Sequence, residues 1–269
     1  MEGINIKKGT GDLRFKLKFT LFNRSLWLPV ISTLLAILAW EVIAQLSNMG
    51  KHVFPGPMAI LGAFDELFSN GSLTKHSVAS LYRVTIGFYL AALLGIPLGI
   101  ILGINRTLSE MADPIVQFLR PISPLAWIPL AMLWLGIGDK PAIFLIFLSS
   151  FFSLIMATTV AVKSINPIYF QVAANFNFSR LELLTKIILP AITPDVITAL
   201  RLTVAVAWLV VVAAEMIAVQ SGLGYLILDS RNALRMDYVM VGMIVIGWIG
   251  LSLDLIMQRF SRLKWTAYS

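Results

Sequence analysis

Six apolar runs of about twenty residues or more recur along this chain, at roughly 26–46, 78–104, 113–138, 142–162, 193–218 and 239–257. Each can cross a hydrocarbon core of ~30 Å as a helix. Lipid offers no hydrogen bonds, so every backbone N–H and C=O in such a run must be satisfied within its own helix. Composition points the same way, with 58% hydrophobic and only 13% charged residues, where a soluble domain carries about a quarter charged. The net charge of +7 raises nucleic acid as a partner. The basic residues, however, gather at span ends as the positive-inside rule places them, so no nucleic-acid partner is expected. With no cysteine, neither a disulfide framework nor a thiolate metal site can form. The expected fold class is an all-α polytopic membrane protein with six transmembrane helices. A single transmembrane domain over 26–260 follows a basic arm, 1–25, and precedes a short tail, 261–269. The arm carries Lys7, Lys8, Arg14, Lys16, Lys18 and Arg24 without a small-residue cleavage site, so it reads as a topology determinant touching lipid rather than a cleaved signal. Both termini are expected on the cytoplasmic face of the plasma (inner) membrane.

One long segment, 163–190, does not span. Asn166 is placed to cap a helix that Pro167 opens, and Asn177 to end it in the left-handed conformation that asparagine tolerates. Ser179 and Glu182 form a capping box that starts a second helix, expected to run to about Leu189 before Pro190. Thr193-Pro194 is then read as the cap of the fifth span. The segment is therefore two short helices meeting at a bend, facing water.

At these residues the chain resembles the inner-membrane permease subunits of ABC-type binding-protein-dependent importers, whose cytoplasmic loop reads E-A-A-x3-G-x9-I-x-L-P. Here the matching positions are Gln171, Val172, Ala173, Asn177, Ile187, Leu189 and Pro190. Gln171 replaces the acid and Asn177 the glycine, so contact with an ATPase should rest more on shape than on charge. The stretches P-I-S-P-L-A-W-I-P-L from Pro121, W-L-G-I-G-D from Trp134, A-W-L-V-V-V-A-A-E-M from Ala207 and S-G-L-G-Y-L-I from Ser221 are similar to the nitrate, sulfonate, taurine and bicarbonate branch. The resemblance implies the type I ABC importer permease fold. It also implies a second permease copy, ABC ATPase subunits that bind the ATP and magnesium, and an extracytoplasmic solute-binding protein. The solute implied is a small oxyanion, with a thiamine precursor or riboflavin as the alternative. Phe170, Ala173, Ala174 and Phe176 are the residues expected to form the ATPase contact; the alternative for the aromatics is the membrane surface.

Within the spans, Gly87, Ala91, Gly95, Gly99 and Gly103 recur every four residues, a stripe that lets another helix approach closely. Pro97 is expected to kink that helix. Pro121, Pro124 and Pro129 interrupt the third span, and irregular backbone at membrane depth is tolerated only against protein or a cavity, which makes Ser123 and Trp127 candidate pathway residues. Ser149, Ser150, Ser153, Thr158 and Thr159 can bond across helices or to their own turns. Arg201 and Glu215 lie ~21 Å apart along one helix and cannot pair with each other. They join Trp208 as candidate pathway groups, with Asp195 or a carbonyl as the structural alternative for Arg201. Glu41 reads as an interfacial or interhelical hydrogen-bonder rather than a transport residue. Met58 to Phe68 reads as an outer amphipathic helix, either touching a binding protein or plugging the bundle, and Ser221 to Asp237 as an outer loop.

No catalytic constellation emerges. His52 and His76 lack H-E-x-x-H spacing, no phosphate loop of the form G-x-x-x-x-G-K-[ST] occurs, and no triad context is present. An enzyme embedded in the membrane would need clustered carboxylates or histidines in the spans. A scaffold would not need the two-helix loop.

Overall fold

The structure, a computed structural model, describes residues 24–47 and 53–265. Nearly all of the basic arm, His52 and the last four residues of the tail lie outside them. The described residues form only helices. In chain order these are α1 (Arg24–Leu46), α2 (Pro57–Ser69), α3 (Ser72–Ile104), α4 (Arg106–Leu119), a 3-10 turn Pro124–Trp127, α5 (Ile128–Leu135), α6 (Asp139–Lys163) and α7 (Pro167–Asn175). A long helix α8 (Arg180–Ala218), then α9 (Leu223–Asn232) and α10 (Met236–Trp265), complete the bundle.

Five of these helices are long and apolar enough to cross a membrane, and the pair α4 and α5, bent by 85° at Pro121–Ser123, makes a sixth span. Packing shows why the bent pair must cross. Gly87 lies over Ile146, Gly95 over Leu154, Gly99 over Thr158 and Gly103 over Val162, so α3 and α6 run parallel in one fixed register. A chain that descends α3 and descends α6 beside it has to return in between. The glycine stripe is what lets the two backbones meet, since a Cβ on Gly99 would stand 2.9 Å from the Ile155 carbonyl oxygen. Thr159 adds a hydrogen bond across the same seam, its hydroxyl donating to the Gly99 carbonyl at 3.1 Å. Ser153 donates to its own helix at Ser149, whereas Ser150 and Thr158 are buried with neither kind of bond. Helix α3 continues through Pro97 without a break.

Helix α8 runs back against α6, with Ala142 and Leu145 meeting Ala214 and Ala218 at one end and Ala161 and Val162 meeting Ile188 and Ile192 at the other. Two helix boundaries differ from those the sequence predicts. Pro190 does not end a helix and Thr193-Pro194 does not begin one, because Arg180–Ala218 is continuous. The turn over Leu183–Ile188 widens to π geometry just before Pro190, giving the ring room where a regular turn would clash with the carbonyl four residues back. Two further corrections concern lengths. Helix α4 starts at Arg106, capped by Asn105, whose side chain accepts from Leu108 N–H, and Pro114 lies inside it. The segment 221–237, expected as a loop, contains helix α9.

Helix α2 turns Ile60, Ala63 and Leu67 inward and leaves its acids exposed. Glu41 accepts the Met58 N–H at 3.2 Å, a hydrogen bond between α1 and α2. At the far edge Arg235 bonds Glu66 at 3.1 Å, and hydrogen bonds from Tyr238 and Arg235 hold the Glu66 carboxyl below the usual carboxylate range.

Candidate functional site

The loop end of the bundle is built by local capping. The Asn166 side chain accepts from Ile168 N–H, and Pro167 sits in the first turn of α7. Asn177 takes the left-handed conformation at φ 52°. The Phe178 N–H then reaches the Ala173 carbonyl at 2.9 Å and the Asn177 N–H the Ala174 carbonyl at 3.0 Å, the paired closure that a left-handed residue permits. Both bonds of the Ser179–Glu182 capping box are present, and Lys186 adds an ion pair to Glu182 at 2.8 Å. The bend therefore has a fixed geometry.

That geometry divides the residues singled out on α7. Ala173 is buried within the chain, and Phe170 packs on the cluster of Ile165, Ile188 and Ile192. Ile168, Val172 and Phe176 recur every four residues on the other side, at 59%, 43% and 72% exposure. Gln171 and Ala174 are exposed beside them. Ile187, Leu189 and Pro190 belong to the base of α8 rather than to the loop.

The candidate pathway residues are not brought together. Ser123 is exposed at the break, and Trp127 packs on Ile128, Ala131 and Ala142. Trp208 is buried and donates to the Ile246 carbonyl at 3.0 Å. The Arg201 guanidinium grips Asp254 on α10 with two bonds, at 2.7 and 2.8 Å. Its partner is thus Asp254, neither Asp195 nor a carbonyl. Glu215 is fully buried and accepts from Ser80 at 2.8 Å, Arg83 at 2.5 Å and Gly224 N–H at 3.1 Å. Arg83 also binds Asp139, the Ser221 carbonyl and the Ser221 hydroxyl. This knot ties α3, α6, α8 and the start of α9 at the end of the bundle opposite α7. Between the two ends a cavity of about 630 Å³ opens among α4, α6 and α8, and none of the five candidates lines it. Arg120, which does, escaped the sequence reading, although an arginine beside Pro121 inside an apolar run was a visible signal. Among the described residues no group of His, Asp or Glu could hold a metal ion.

Residues 95–265 match the family described as binding-protein-dependent transport system inner membrane component. A putative ABC transporter permease of Methanocaldococcus jannaschii is 36% identical, covering 94% of this chain and 91% of the relative. The taurine transport system permease of Escherichia coli is 33% identical, with 89% of each chain covered. The nitrate import permease of Synechococcus elongatus is 34% identical, over 88% of this chain and 89% of its own. Among solved structures, a bacterial ABC transporter involved in the import of alginate superposes with a TM-score of 0.62 over 91% of this chain and 94% of that one, at 16% identity. The methionine ABC transporter in an inward-facing conformation gives 0.61 over 69% of this chain and 92% of that one, again at 16% identity. At such identities the likeness is one of fold.

Proposed function

This chain belongs to the inner-membrane components of binding-protein-dependent transport systems, the permease subunits of ABC importers, and we propose that its solute is a small oxyanion. As a permease it carries no ATPase of its own; hydrolysis belongs to a separate subunit, which binds the nucleotide. The observation that carries the oxyanion reading is that taurine and nitrate, the solutes named for two relatives matched over nearly the whole chain, share a negative charge spread over oxygens. The test is uptake by the permease expressed with its own ATPase and binding protein. Labelled nitrate, taurine or an alkanesulfonate should enter, and transport restricted to uncharged solutes would reject the reading.

The working assembly is two copies of the permease on two ATPases, with a solute-binding protein at the outer face. The end carrying α7 faces the cytoplasm. Six spans return both chain ends to the α7 side, so the basic arm adds its charge to that of Arg106, Lys163, Arg180, Lys186 and Arg259. The opposite end mixes the acids Asp65, Glu66, Asp139, Asp229 and Asp237 with the basic Lys75, Lys140, Arg231 and Arg235.

Helix α7 is the element that meets the ATPase. An apolar stripe on a short helix needs cover, and a helix of this length holds its shape only by packing. Ile168, Val172 and Phe176 offer that stripe, with Gln171 and Ala174 beside it. Phe170 and Ala173 seat the helix on its own chain, while Asn177, Ile187, Leu189 and Pro190 carry its position to α8. A push on α7 is thereby delivered to a helix that crosses the membrane. Docking through an uncharged stripe predicts weak dependence on salt.

A further inference from the structure

Three arginines lie within the spans, and two of them, Arg83 and Arg201, are held by carboxylates. The third, Arg120, is not. Among the described residues no hydrogen bond or ion pair engages its guanidinium, and only its backbone N–H is used, toward the Val116 carbonyl at 2.9 Å. It closes α4 just before Pro121, where the chain turns into the second half of the broken span. There it shares a wall with Met156 of α6. Met156 stands about two turns before Ser164, which ends α6, so this wall reaches ~12 Å in from the cytoplasmic end of that helix, and Arg120 is exposed on it. An ionised group at this depth is costly unless a partner or a wet cavity receives it.

A cavity does receive it. The space of about 630 Å³ among α4, α6 and α8 is lined by Arg120, by the hydroxyls of Ser153 and Thr203 deeper in the membrane, and by Ser164 and Thr198 nearer the cytoplasm. Ser153, Ser164 and Thr198 now donate to carbonyls of their own helices, bonds that a rotation of each hydroxyl redirects. Asp195 lines the same cavity toward the cytoplasmic end. It too has no ion pair among the described residues.

We propose that this cavity is a solute site within the membrane, with Arg120 gripping a small oxyanion. The planar guanidinium presents a fork of donors that matches two oxygens of a sulfonate, nitrate or carboxylate. Arg201 has the same fork but spends it on Asp254. The location has a mechanical consequence: the residue stands at the break between α4 and α5, where a change of bend angle moves it relative to α6. The inference rests on the oxyanion reading above and adds a residue that selects the ion after the binding protein has released it.

The test uses the complete transporter, with its ATPase and binding protein, in proteoliposomes. Uptake of labelled nitrate, taurine and ethanesulfonate is measured beside ATP hydrolysis stimulated by the binding protein. Arg120→Gln should lower the maximal uptake rate of the transported oxyanion at least tenfold while stimulated hydrolysis stays within twofold of the unmodified protein. Arg120→Lys should recover part of the uptake. If the unmodified transporter moves one of the three ions and Arg120→Gln moves it equally fast, the site is overturned and the oxyanion reading stands. Loss of stimulated hydrolysis together with uptake in both variants would make Arg120 a structural residue and overturn the site as well. Transport by the unmodified protein of none of these ions nor of bicarbonate, with uptake restricted to uncharged solutes, would overturn both readings.

Discussion

The Arg83 guanidinium meets the Glu215 carboxylate at 2.5 Å, with the two side chains 2% and 0% exposed, and the end of the bundle opposite α7 is folded around that contact. Gly222, at φ +104°, and Gly224 press their backbones so close to Glu215 that a Cβ on either would overlap it. Removing Arg83 strands the Glu215 carboxylate in a dry site, whereas removing Glu215 still leaves Arg83 its pair with Asp139. Arg83→Met should therefore cost about 3–5 kcal/mol, read as a lowered unfolding temperature in detergent. The double variant Arg83→Met/Glu215→Leu should cost clearly less than its two single changes combined. Additive losses would show that the pair does not act as a unit.

The seam between α3 and α6 makes a sharper prediction, because two glycines of helices should respond with opposite signs. A Cβ at Gly99 would lie 2.7 Å from Thr158 Cβ and 2.9 Å from the Ile155 carbonyl oxygen, neither of which can swing aside. Gly99→Ala should destabilise by about 1–3 kcal/mol through overpacking. Gly62, in α2, has nothing within 4 Å of its Cβ position. Gly62→Ala should stabilise by roughly 0.5–1 kcal/mol, since alanine loses less freedom on entering a helix. Thermal unfolding of both variants in the same detergent checks the pair.

These two sites show what the sequence makes legible. A four-residue interval of small side chains points to a close helix contact from pattern alone. The capping of α7 and α8 was equally readable, since Asn166, Asn177, Ser179 and Glu182 act within a turn of themselves. What pattern does not contain is the partner across space. Arg201 and Glu215 were recognisable as expensive groups, yet Asp254 and Arg83 lie on other spans, and only packing decides which carboxylate meets which guanidinium. Pro190 misled for a related reason. Its missing N–H argues for a helix end, whereas a widened turn over Leu183–Ile188 lets the helix continue.

Orientation follows from labelling, which the absence of cysteine makes clean. A single cysteine at Ser179 should resist an impermeant maleimide in intact cells and react after lysis. One at Asn70, in the exposed turn that ends α2, should react in intact cells. The reverse pattern would invert the bundle.

The exposed stripe on α7 gives the prediction that bears most directly on coupling. Val172 lies at its centre with Ile168 and Phe176 one turn to either side, and Gln171 leaves the helix without a charge to steer a partner. Burial of such a stripe in a groove of the ATPase would make its aromatic end an anchor. Phe176→Asp should weaken ATPase binding by at least ~2 kcal/mol, about thirtyfold in affinity, with unchanged unfolding of the isolated permease because the side chain is 72% exposed. Ala173→Glu should behave differently: the position is covered by the chain itself, so that variant should lose thermal stability along with coupling. Asn177→Ile places a β-branched residue at φ 52°, a strain of about 1–3 kcal/mol, and should loosen the seat of α7 without touching its exposed face. Affinity of the ATPase for each variant in detergent, measured beside unfolding temperature, separates the three. Wild-type affinity for Phe176→Asp would remove α7 from the contact.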